Sequence, residues 1–531
     1  MMLDCLQSQA QRQPDVVAIR TDRSHLTYAQ HVDWVGRVAW QLLDAGARPG
    51  DRVGLWARNQ LGWLPTDLGI AAAGAVSVPL HAELPDAMVA EQLRRAGCRL
   101  VFVGDDERAA RLQASSASQN EWQIFQIPES FDALPPPFFR DWPPRLRSET
   151  DLATILFTSG TTGVPKGVML SHRNVFHNAI TTQTEIPWGV AATMLNSLPF
   201  SHIYARVSDG YQAIIAGATL LLSESPERIP RLLQEFRPTQ VRNVPRFYEK
   251  LLHTISHPNE LPRMLGGRIR TLFVGGAGLP PAVAQVYAAA GLPLLQGYGL
   301  TETSPTHCVN RPHANRIGTV GQPLPGYDVQ IASDGEVLLR GANVMLGYWN
   351  DPQATAEAIR DGWLHTGDLG ELDADGFLRI SGRKKDLIVF STGRKVVPET
   401  VESRLRAIPG MDQALVFGEG WPFLIGLLIW PGELSEVEIG KQVTAALADL
   451  PPWEQLAGWV IRREPLSIQA GEVTVSHKPR RGIIFERHET ALLQCRDSIL
   501  SQNSARHSAA ADADAPSPTP APRRGKMPET P

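Results

Sequence analysis

Short apolar runs alternate with longer amphipathic stretches from the N-terminus to about residue 385. Apolar runs at 53–56, 100–103, 218–222 and 271–274 have the length of buried strands, and residues 29–43 show the apolar spacing of a helix. Strands that alternate with helices are typical of α/β units with largely parallel sheets. The pattern therefore predicts the α/β fold class, with a large N-terminal domain that contains several subdomains.

The pattern changes after Asp386, where a second and smaller domain is predicted to begin. Residues 398–407 indicate a helix and residues 414–430 a hairpin, which together are typical of a compact α+β domain. We therefore predict an N-terminal domain at 1–385 and a C-terminal domain at 386–500. Residues 501–531 are rich in Ala, Pro, Ser and Asp, and we expect them to form a disordered tail because this composition cannot build a core.

The composition excludes several classes of protein. The chain has 531 residues, 43% of them hydrophobic, and a formal net charge of −4 without basic stripes, which argues against nucleic-acid binding. Its four cysteines lack CxxC spacing, so neither a disulfide framework nor a zinc site is indicated. No secretory signal is evident, and the longest apolar run is far shorter than the ~20 residues that cross a bilayer. We therefore predict a cytoplasmic protein, with contact at a membrane surface left open.

A strand-like run at 155–157 opens into a loop of hydroxyls, glycines and one lysine. Glycines let backbone N–H groups approach an anion, hydroxyls add donors, and Lys166 supplies a mobile positive charge, so the loop is predicted to bind phosphate. The loop differs from the phosphate loop of kinases and GTPases, because Pro165 precedes the lysine and Gly167 follows it. An ordinary Ser/Thr/Gly turn between strands is the alternative.

Three further segments combine glycines with aromatic, acidic or basic residues. Residues 296–303 place an aromatic ring and a carboxylate in one loop, where the ring can stack on a base and the carboxylate can reach Mg²⁺. Asp368 ends the second segment, and its carboxylate can accept hydrogen bonds from both ribose hydroxyls, although an Asp-capped turn is the alternative. The third segment joins the guanidinium of Arg383 to the carboxylate of Asp386, where a solvated charge cluster is the alternative.

Two glycine turns and one lysine loop complete the set. The run at 271–274 leads into Gly275 and Gly276, at a place where open α/β sheets admit ligands, and a tight strand-to-helix turn is an equal alternative. Gly393 begins a turn before a helix that Pro398 initiates. Lys478 lies in a polar loop, for which an exposed lysine loop is the alternative.

In their order and spacing, these segments resemble the adenylate-forming (AMP-binding) superfamily of acyl-CoA synthetases, luciferases and peptide adenylation domains. The likeness extends from about residue 15 to about residue 490. Residues 198–206, 244–250 and 341–349 are similar to the long-chain fatty acyl-CoA synthetase branch. Two features depart from that branch: the chain between Lys250 and Gly275 is shorter than usual, and His477 stands where many relatives carry glycine.

The resemblance implies roles for individual residues. It implies that Lys478, Glu302 and His202 are catalytic, that Glu302 and Thr158 hold the metal, and that Asp386 is the hinge of a mobile C-terminal domain. His202 is expected near the acyl carboxylate or the thiol, with a buried structural histidine as the alternative. The nucleotide, the pyrophosphate and the thiol are implied to bind at Thr158, Ser159, Gly160, Thr161, Thr162, Gly163, Lys166, Gly276, Gln296, Gly297, Tyr298, Gly299, Thr301, Asp368, Arg383 and Gly393.

The resemblance also implies a reaction. ATP would activate a fatty acid, expected to be long-chain, to acyl-AMP with release of pyrophosphate, and CoA would then take the acyl group and release AMP. ATP and Mg²⁺ are the implied cofactors, with CoA as acceptor substrate. Two close alternatives share every motif: transfer to an acyl carrier protein, and a reaction that stops at the adenylate. A non-catalytic nucleotide- or lipid-binding protein that keeps the fold is the distant alternative.

Overall fold

A computed structural model describes residues 1–117, 121–134, 142, 148–158, 165–189, 191–252, 254–474 and 478–513 of the chain. The chain divides into two compact units, Met1–Asp386 and Leu387–Pro531, so that Asp386 is the last residue of the first unit. The predicted fold class is confirmed, since the large unit contains mostly parallel sheets and the small unit mixes helices with one main sheet.

Three sheets form the first unit. A nine-stranded sheet has the order β15-β14-β13-β12-β11-β9-β10-β1-β2, a seven-stranded sheet has the order β18-β8-β7-β4-β3-β5-β6, and a five-stranded sheet contains β16, β17, β19, β20 and β21. The strands are β1 (Val17–Arg20), β2 (His25–Thr27), β3 (Arg52–Trp56), β4 (Val76–Leu80), β5 (Leu100–Val103), β6 (Gln123–Gln126), β7 (Leu152–Thr158), β8 (Lys166–Ser171), β9 (Thr193–Asn196), β10 (Thr219–Leu222), β11 (Gln240–Asn243), β12 (Thr271–Val274), β13 (Leu294–Tyr298), β14 (Cys308–Val309), β15 (Gln322–Pro323), β16 (Tyr327–Ile331), β17 (Glu336–Gly341), β18 (Gly347–Tyr348), β19 (Ile359–Arg360), β20 (Trp363–Leu372) and β21 (Leu378–Arg383).

Helices connect these strands in the manner that the alternating pattern predicted. They are α1 (Met2–Arg12), α2 (Tyr28–Asp44), α3 (Trp63–Ala72), α4 (Asp86–Ala96), α5 (Asp106–Ala114), α6 (His172–Glu185), α7 (Ile203–Ala205), α8 (Gln212–Ala216), α9 (Ile229–Phe236), α10 (Pro245–Leu252), α11 (Leu261–Met264), α12 (Pro281–Ala289) and α13 (Pro352–Ala358), with a π-helix at Arg206–Tyr211 between α7 and α8. Thr27 and Gln30 form a capping box that starts α2, and its buried face includes Trp34 and Val38.

The strand ends of the first unit gather the segments predicted to bind ligands. β11, β12 and β13 run parallel, so their carboxyl ends lie at one edge of the sheet, where β12 leads into Gly275 and β13 ends at Tyr298. In the seven-stranded sheet, β7 and β8 are antiparallel and frame the predicted phosphate loop. The topology therefore brings glycine turns and polar strand ends to the edges of two sheets.

The second unit contains β22 (Ile388–Val389), β23 (Lys395–Val396), α14 (Pro398–Arg406), β24 (Gln413–Phe417), β25 (Leu424–Ile429), α15 (Glu436–Leu447), β26 (Leu456–Arg462) and α16 (Arg481–Ala513). The helix predicted at 398–407 and the hairpin predicted at 414–430 are confirmed as α14 and as β24 with β25. Every residue of β25 is buried, because two apolar clusters pack on its opposite faces.

The final helix runs past residue 501, where the disordered tail was predicted to start. α16 continues to Ala513, beyond residue 501, after packing Ile484 and Leu492 against the sheet. A helix anchored in this way extends readily into an alanine-containing sequence, because alanine has the highest helix propensity. Residues 514–531 lie outside the described residues. Across the part of the chain that is described, no helix has the length and apolarity needed to cross a membrane.

Candidate active site

The phosphate-loop segment is anchored by a strand pair. Thr158 is the last residue of β7 and Lys166 the first residue of β8, and the two are directly opposite in register. The Thr158 hydroxyl donates to the Lys166 carbonyl oxygen at 3.4 Å. The intervening loop residues of the prediction, Ser159, Gly160, Thr161, Thr162 and Gly163, lie outside the described residues. Thr158 and Lys166 are therefore paired at the two strand ends that flank this segment.

Glu302 and Lys166 share a tyrosine that the sequence analysis did not assign to the site. The Tyr348 hydroxyl donates to Glu302 Oε1 at 3.0 Å, and Lys166 Nζ lies 5.0 Å from the centroid of the same ring. Burial, followed by the charge and hydrogen bond of Glu302, raises the pKa of Tyr348, so its hydroxyl stays a neutral donor. The only signal for Tyr348 in the sequence was its position in the run 341–349.

A second group joins three residues that are far apart in the sequence, and we call Tyr298, Asp368 and Arg383 the ribose cluster. The Tyr298 hydroxyl donates to Asp368 Oδ2 at 2.7 Å, and Arg383 Nε lies 2.9 Å from Oδ1. Asp368 is 3% exposed and is paired with Arg383 across β20 and β21. Burial and the neighbouring Asp368 raise the pKa of Tyr298 well above its usual value, which keeps its hydroxyl protonated.

Glu336 supports this cluster from β17 and was not predicted. Its Oε1 accepts from the backbone N–H of Gly367 at 2.9 Å, and its Oε2 lies 3.3 Å from both His365 Nδ1 and Lys384 Nζ. Burial raises the pKa of this carboxyl, but the Gly367 amide, His365 and Lys384 together hold the pKa of Glu336 below its usual value. An ionised Glu336 thus fixes the backbone immediately before Asp368.

The glycines predicted to line the site differ in their surroundings. A Cβ at Gly299 would lie 1.8 Å from the Pro305 carbonyl oxygen, so this position has no room for a side chain. Gly276 is exposed and has a φ of +84°, a conformation that favours glycine, at the turn after β12. Gly297 and Gln296 are buried within β13, and Thr301 begins a short 3₁₀ turn that includes Glu302.

The remaining predicted residues are placed as follows. His202 is half-buried directly before α7, and its backbone N–H donates to the Pro199 carbonyl oxygen at 2.9 Å. Asp386 ends the 3₁₀ turn that closes the first unit. Lys478 and Gly393 belong to the second unit, where both are exposed. Lys478 and Thr474 exchange two hydrogen bonds: the Lys478 N–H donates to Thr474 Oγ1 at 3.1 Å, and the Thr474 N–H donates to the Lys478 carbonyl oxygen at 2.9 Å.

The arrangement in the first unit suits a magnesium nucleotide. Among the described residues, no three His, Cys, Asp or Glu side chains group together as a metal centre. A single carboxylate such as Glu302 nevertheless fits Mg²⁺, because that ion is usually bound by one or two carboxylates together with substrate phosphates. The Asp368 carboxylate, whose contacts include Tyr298 and Arg383, offers about four acceptor positions and is a group that can accept from sugar hydroxyls.

Comparison with known proteins agrees with this geometry. A family model described as AMP-binding enzyme matches residues 6–349, and one described as AMP-binding enzyme C-terminal domain matches residues 385–450. The chain is 33% identical to long-chain-fatty-acid–CoA ligase FadD15 of Mycobacterium bovis over 513 residues, covering 85% of each chain. It is 34% identical to feruloyl-CoA synthase of Amycolatopsis sp. over 499 residues, covering 90% of this chain and 97% of the relative.

Solved structures share the fold. The anthranilate CoA ligase AuaEII, determined in complex with anthranoyl-AMP, superposes with a TM-score of 0.82 at 22% identity, covering 93% of this chain and 97% of that one. At this identity the likeness concerns the fold alone.

Proposed function

Because this chain belongs to the family of AMP-binding enzymes, we propose that it joins a long-chain fatty acid to CoA through an acyl-AMP intermediate. Acid–CoA ligases of this family use ATP, Mg²⁺ and CoA. The observation that carries the proposal is the pairing, within one unit, of Glu302 and Lys166 through Tyr348 and of Asp368 with Tyr298 and Arg383. These contacts support the assignment of Lys166 and Glu302 to the magnesium phosphates and of the ribose cluster to the sugar.

The first half-reaction brings two anions together. An oxygen of the substrate carboxylate attacks the α-phosphorus of ATP, and the bond to pyrophosphate breaks. Charge neutralisation and in-line positioning are the main requirements of such a step. We assign Lys478 to the carboxylate and the α-phosphate, and Lys166 with the Thr158 hydroxyl to the departing pyrophosphate.

Glu302 and Thr158 would hold Mg²⁺, which when bound neutralises phosphate charge. Tyr348 donates to Oε1 of Glu302 and thereby orients the carboxylate that would hold the metal. In the ribose cluster, Asp368 accepts hydrogen bonds from the sugar hydroxyls while Arg383 keeps the carboxylate ionised. The Tyr298 ring would form a wall for the adenine.

The second half-reaction transfers the acyl group. The thiol sulfur bonds to the carbonyl carbon, the carbon–oxygen bond to AMP breaks, and the thiol proton leaves to solvent. We propose that rotation about Asp386 exchanges Lys478 for Gly393 at the reacting atoms. A Cβ at Gly393 would meet no atom within 4 Å, so the backbone there is open to an approaching pantetheine arm.

Two classes of acid compete for the assignment. The relative named long-chain-fatty-acid–CoA ligase supports a fatty acid, whereas the relative named feruloyl-CoA synthase supports an aromatic acid over a larger share of both chains. The buried Tyr204 hydroxyl lies 3.4 Å from the position of a Gly275 Cβ and has no partner in the described structure, which favours an acid of either class that carries a polar group. Transfer to an acyl carrier protein is the alternative for the acceptor, and we place the protein in the cytoplasm.

Labelled pyrophosphate exchange into ATP tests the proposal. Purified protein is supplied with Mg²⁺ and a panel of saturated fatty acids and aromatic acids, and CoA or carrier protein is then added to the acid that supports exchange. We expect acid-dependent exchange followed by acyl-CoA formation. Absence of exchange with every acid would contradict the proposed activity, and thioester formation only on carrier protein would reassign the acceptor.

A further inference from the structure

Arg242 is a buried arginine whose guanidinium lacks a hydrogen-bond partner. It lies on β11, is 1% exposed, and its Nε and both terminal nitrogens have no partner among the described residues. Its guanidinium carbon lies 5.1 Å from the Trp188 ring centroid and 5.0 Å from that of Phe273. The rings pack its faces but cannot satisfy its N–H groups, and a buried charged donor left unpaired is strongly unfavourable.

Two oxygens beside it are also unsatisfied, and we call Tyr204, Asp209 and Arg242 the distal cluster. Asp209 is 1% exposed; its Oδ2 accepts from Asn196 Nδ2 at 2.8 Å, but its Oδ1 has no partner in the described structure. The buried Tyr204 hydroxyl is likewise unpaired there. Burial raises the pKa of Asp209 to about 7 even though Arg242 and Asn196 oppose the rise. The carboxylate and the guanidinium thus influence one another without forming an ion pair within 4.0 Å.

A second buried arginine shows that the fold can satisfy such a group. Arg206 Nε donates to the Tyr211 hydroxyl at 3.1 Å, one terminal nitrogen donates to Thr154 Oγ1 at 3.1 Å, and Asp67 Oδ2 lies 3.3 Å from Nε. Arg206 is 2% exposed, so its burial matches that of Arg242. The open donors of Arg242 are therefore a local property of the distal cluster.

The distal cluster lies beneath the turn that leads to the nucleotide residues. The Tyr204 hydroxyl lies 3.4 Å from the position of a Gly275 Cβ, directly after β12, and Tyr204 follows His202 by two residues. Gly275 is buried and Gly276 is exposed, so the turn connects the surface to the cluster. Beside β12, the parallel strand β13 ends at Tyr298 of the ribose cluster.

We propose that Tyr204, Asp209 and Arg242 form the far end of the acid-binding site and bind an uncharged hydroxyl at the distal end of the acid. This inference rests on the proposed ligase function. A hydroxyl can accept from Arg242 and donate to Asp209 Oδ1, which gives each of the two groups a partner. A second carboxylate would bring another ionisable acid against Asp209, and a methyl end would leave the Arg242 donors, Asp209 Oδ1 and the Tyr204 hydroxyl without a partner.

Matched pairs of acids test the inference and distinguish its two sources of hydroxyl. Pyrophosphate exchange is measured with para-hydroxycinnamate against cinnamate, and with ω-hydroxyhexadecanoate against hexadecanoate. We expect kcat/KM to favour the hydroxylated acid of one pair by about 100-fold, because a site that hydrogen-bonds a hydroxyl rejects the analogue that lacks it. Equal kcat/KM within both pairs would overturn the inference and leave the ligase function standing. Absence of exchange with all four acids would overturn the function and the inference with it.

Variants of the distal cluster test whether its residues cause the preference for the hydroxylated acid. Arg242→Met should reduce the ratio of kcat/KM between hydroxylated and unhydroxylated acid by about tenfold or more, and Tyr204→Phe, which removes one oxygen only, should reduce it several-fold. Arg206→Met is the matched control, and we expect it to lower stability while leaving the ratio unchanged. If Arg242→Met does not fold, Tyr204→Phe decides the test. An unchanged ratio in Tyr204→Phe together with an unchanged or unobtainable ratio in Arg242→Met would overturn the inference.

Discussion

In the first unit, the ribose cluster and the distal cluster differ in how far their polar groups satisfy one another. Both oxygens of Asp368 have protein partners, Tyr298 and Arg383, and a second carboxylate, Glu336, fixes the adjoining backbone. In the distal cluster, the donors of Arg242 and one oxygen of Asp209 have no partner in the described structure. The polar groups of the ribose cluster are paired within the protein, whereas those of the distal cluster would be paired only when the hydroxyl of an acid is bound.

The difference follows from the part of the substrates that each cluster is proposed to recognise. ATP is an invariant substrate, so its binding groups gain from being held in position before it arrives. An acid is distinguished from other acids by its distal end, and unsatisfied buried groups reject an acid that cannot pair with them. The ribose cluster therefore contributes affinity for a common part of the reaction, and the distal cluster contributes selectivity.

The largest expected effect concerns Lys478, which lies in the second unit, outside both clusters. Lys478→Ala should reduce adenylation about 10³-fold, because it removes the charge assigned to the reacting carboxylate and phosphate. Thioester formation from supplied acyl-AMP should persist. Pyrophosphate exchange and acyl-CoA formation are measured separately, with Lys441→Ala, an exposed lysine of the same unit, as the control. Equal loss of both half-reactions would refute the division of roles.

The next largest effect is expected for Asp368→Ala, which removes the carboxylate that joins the ribose cluster. The loss of the carboxylate removes two predicted bonds to ribose and leaves Tyr298 and Arg383 without their common partner, so we expect kcat/KM for ATP to fall about 10²-fold. The fall should be the same with every acid, since the ribose cluster does not contact the acid. Asp328→Ala, which removes an exposed carboxylate 2.9 Å from Arg340, should leave kcat/KM unchanged. A fall in kcat/KM for ATP that differs from acid to acid would contradict the separate roles of the ribose cluster and the distal cluster.

Some features of the fold and the site could be predicted from the sequence and others could not, for a physical reason. The strands, the second-unit hairpin and the family were predictable, and the family prediction is confirmed, because buried strands and glycine-rich motifs leave contiguous patterns. Tyr348, Glu336 and Arg242 were missed because their importance lies in cross-strand neighbours far away in sequence. Arg242 in particular resembled any polar residue of a strand until Trp188, Phe273 and Asp209 were placed around it.

Glu336→Gln should have a smaller effect, of about tenfold on kcat/KM for ATP, because a neutral amide cannot pair with Lys384 and accept from Gly367 equally well. Its pKa is lower in the fold than in the unfolded chain, so the unfolded state binds more protons at acid pH. The stabilisation is therefore present above the ordinary carboxyl range and is lost as pH falls through the lower folded pKa. Unfolding measured from about pH 3 to 6 should therefore show a smaller loss of stability in acid for Glu336→Gln than for the wild-type protein.

Asp209 should show the opposite dependence of folding stability on pH, and the expected effect is the smallest of the series. Its pKa is raised by burial to about 7, so the folded state holds a proton that the unfolded state has released between the ordinary carboxyl pKa and that value. The contribution of Asp209 to stability should therefore be lost as pH rises from about 4 to 7, so the wild-type protein should lose stability over this range relative to Asp209→Asn, which cannot ionise. Thermal unfolding at several pH values should show the variant gaining by a few degrees relative to wild type near pH 8. If the two proteins keep a constant difference across this range, Asp209 is ionised in the fold, its charge is balanced by Arg242 without a guest, and the contrast between the two clusters fails.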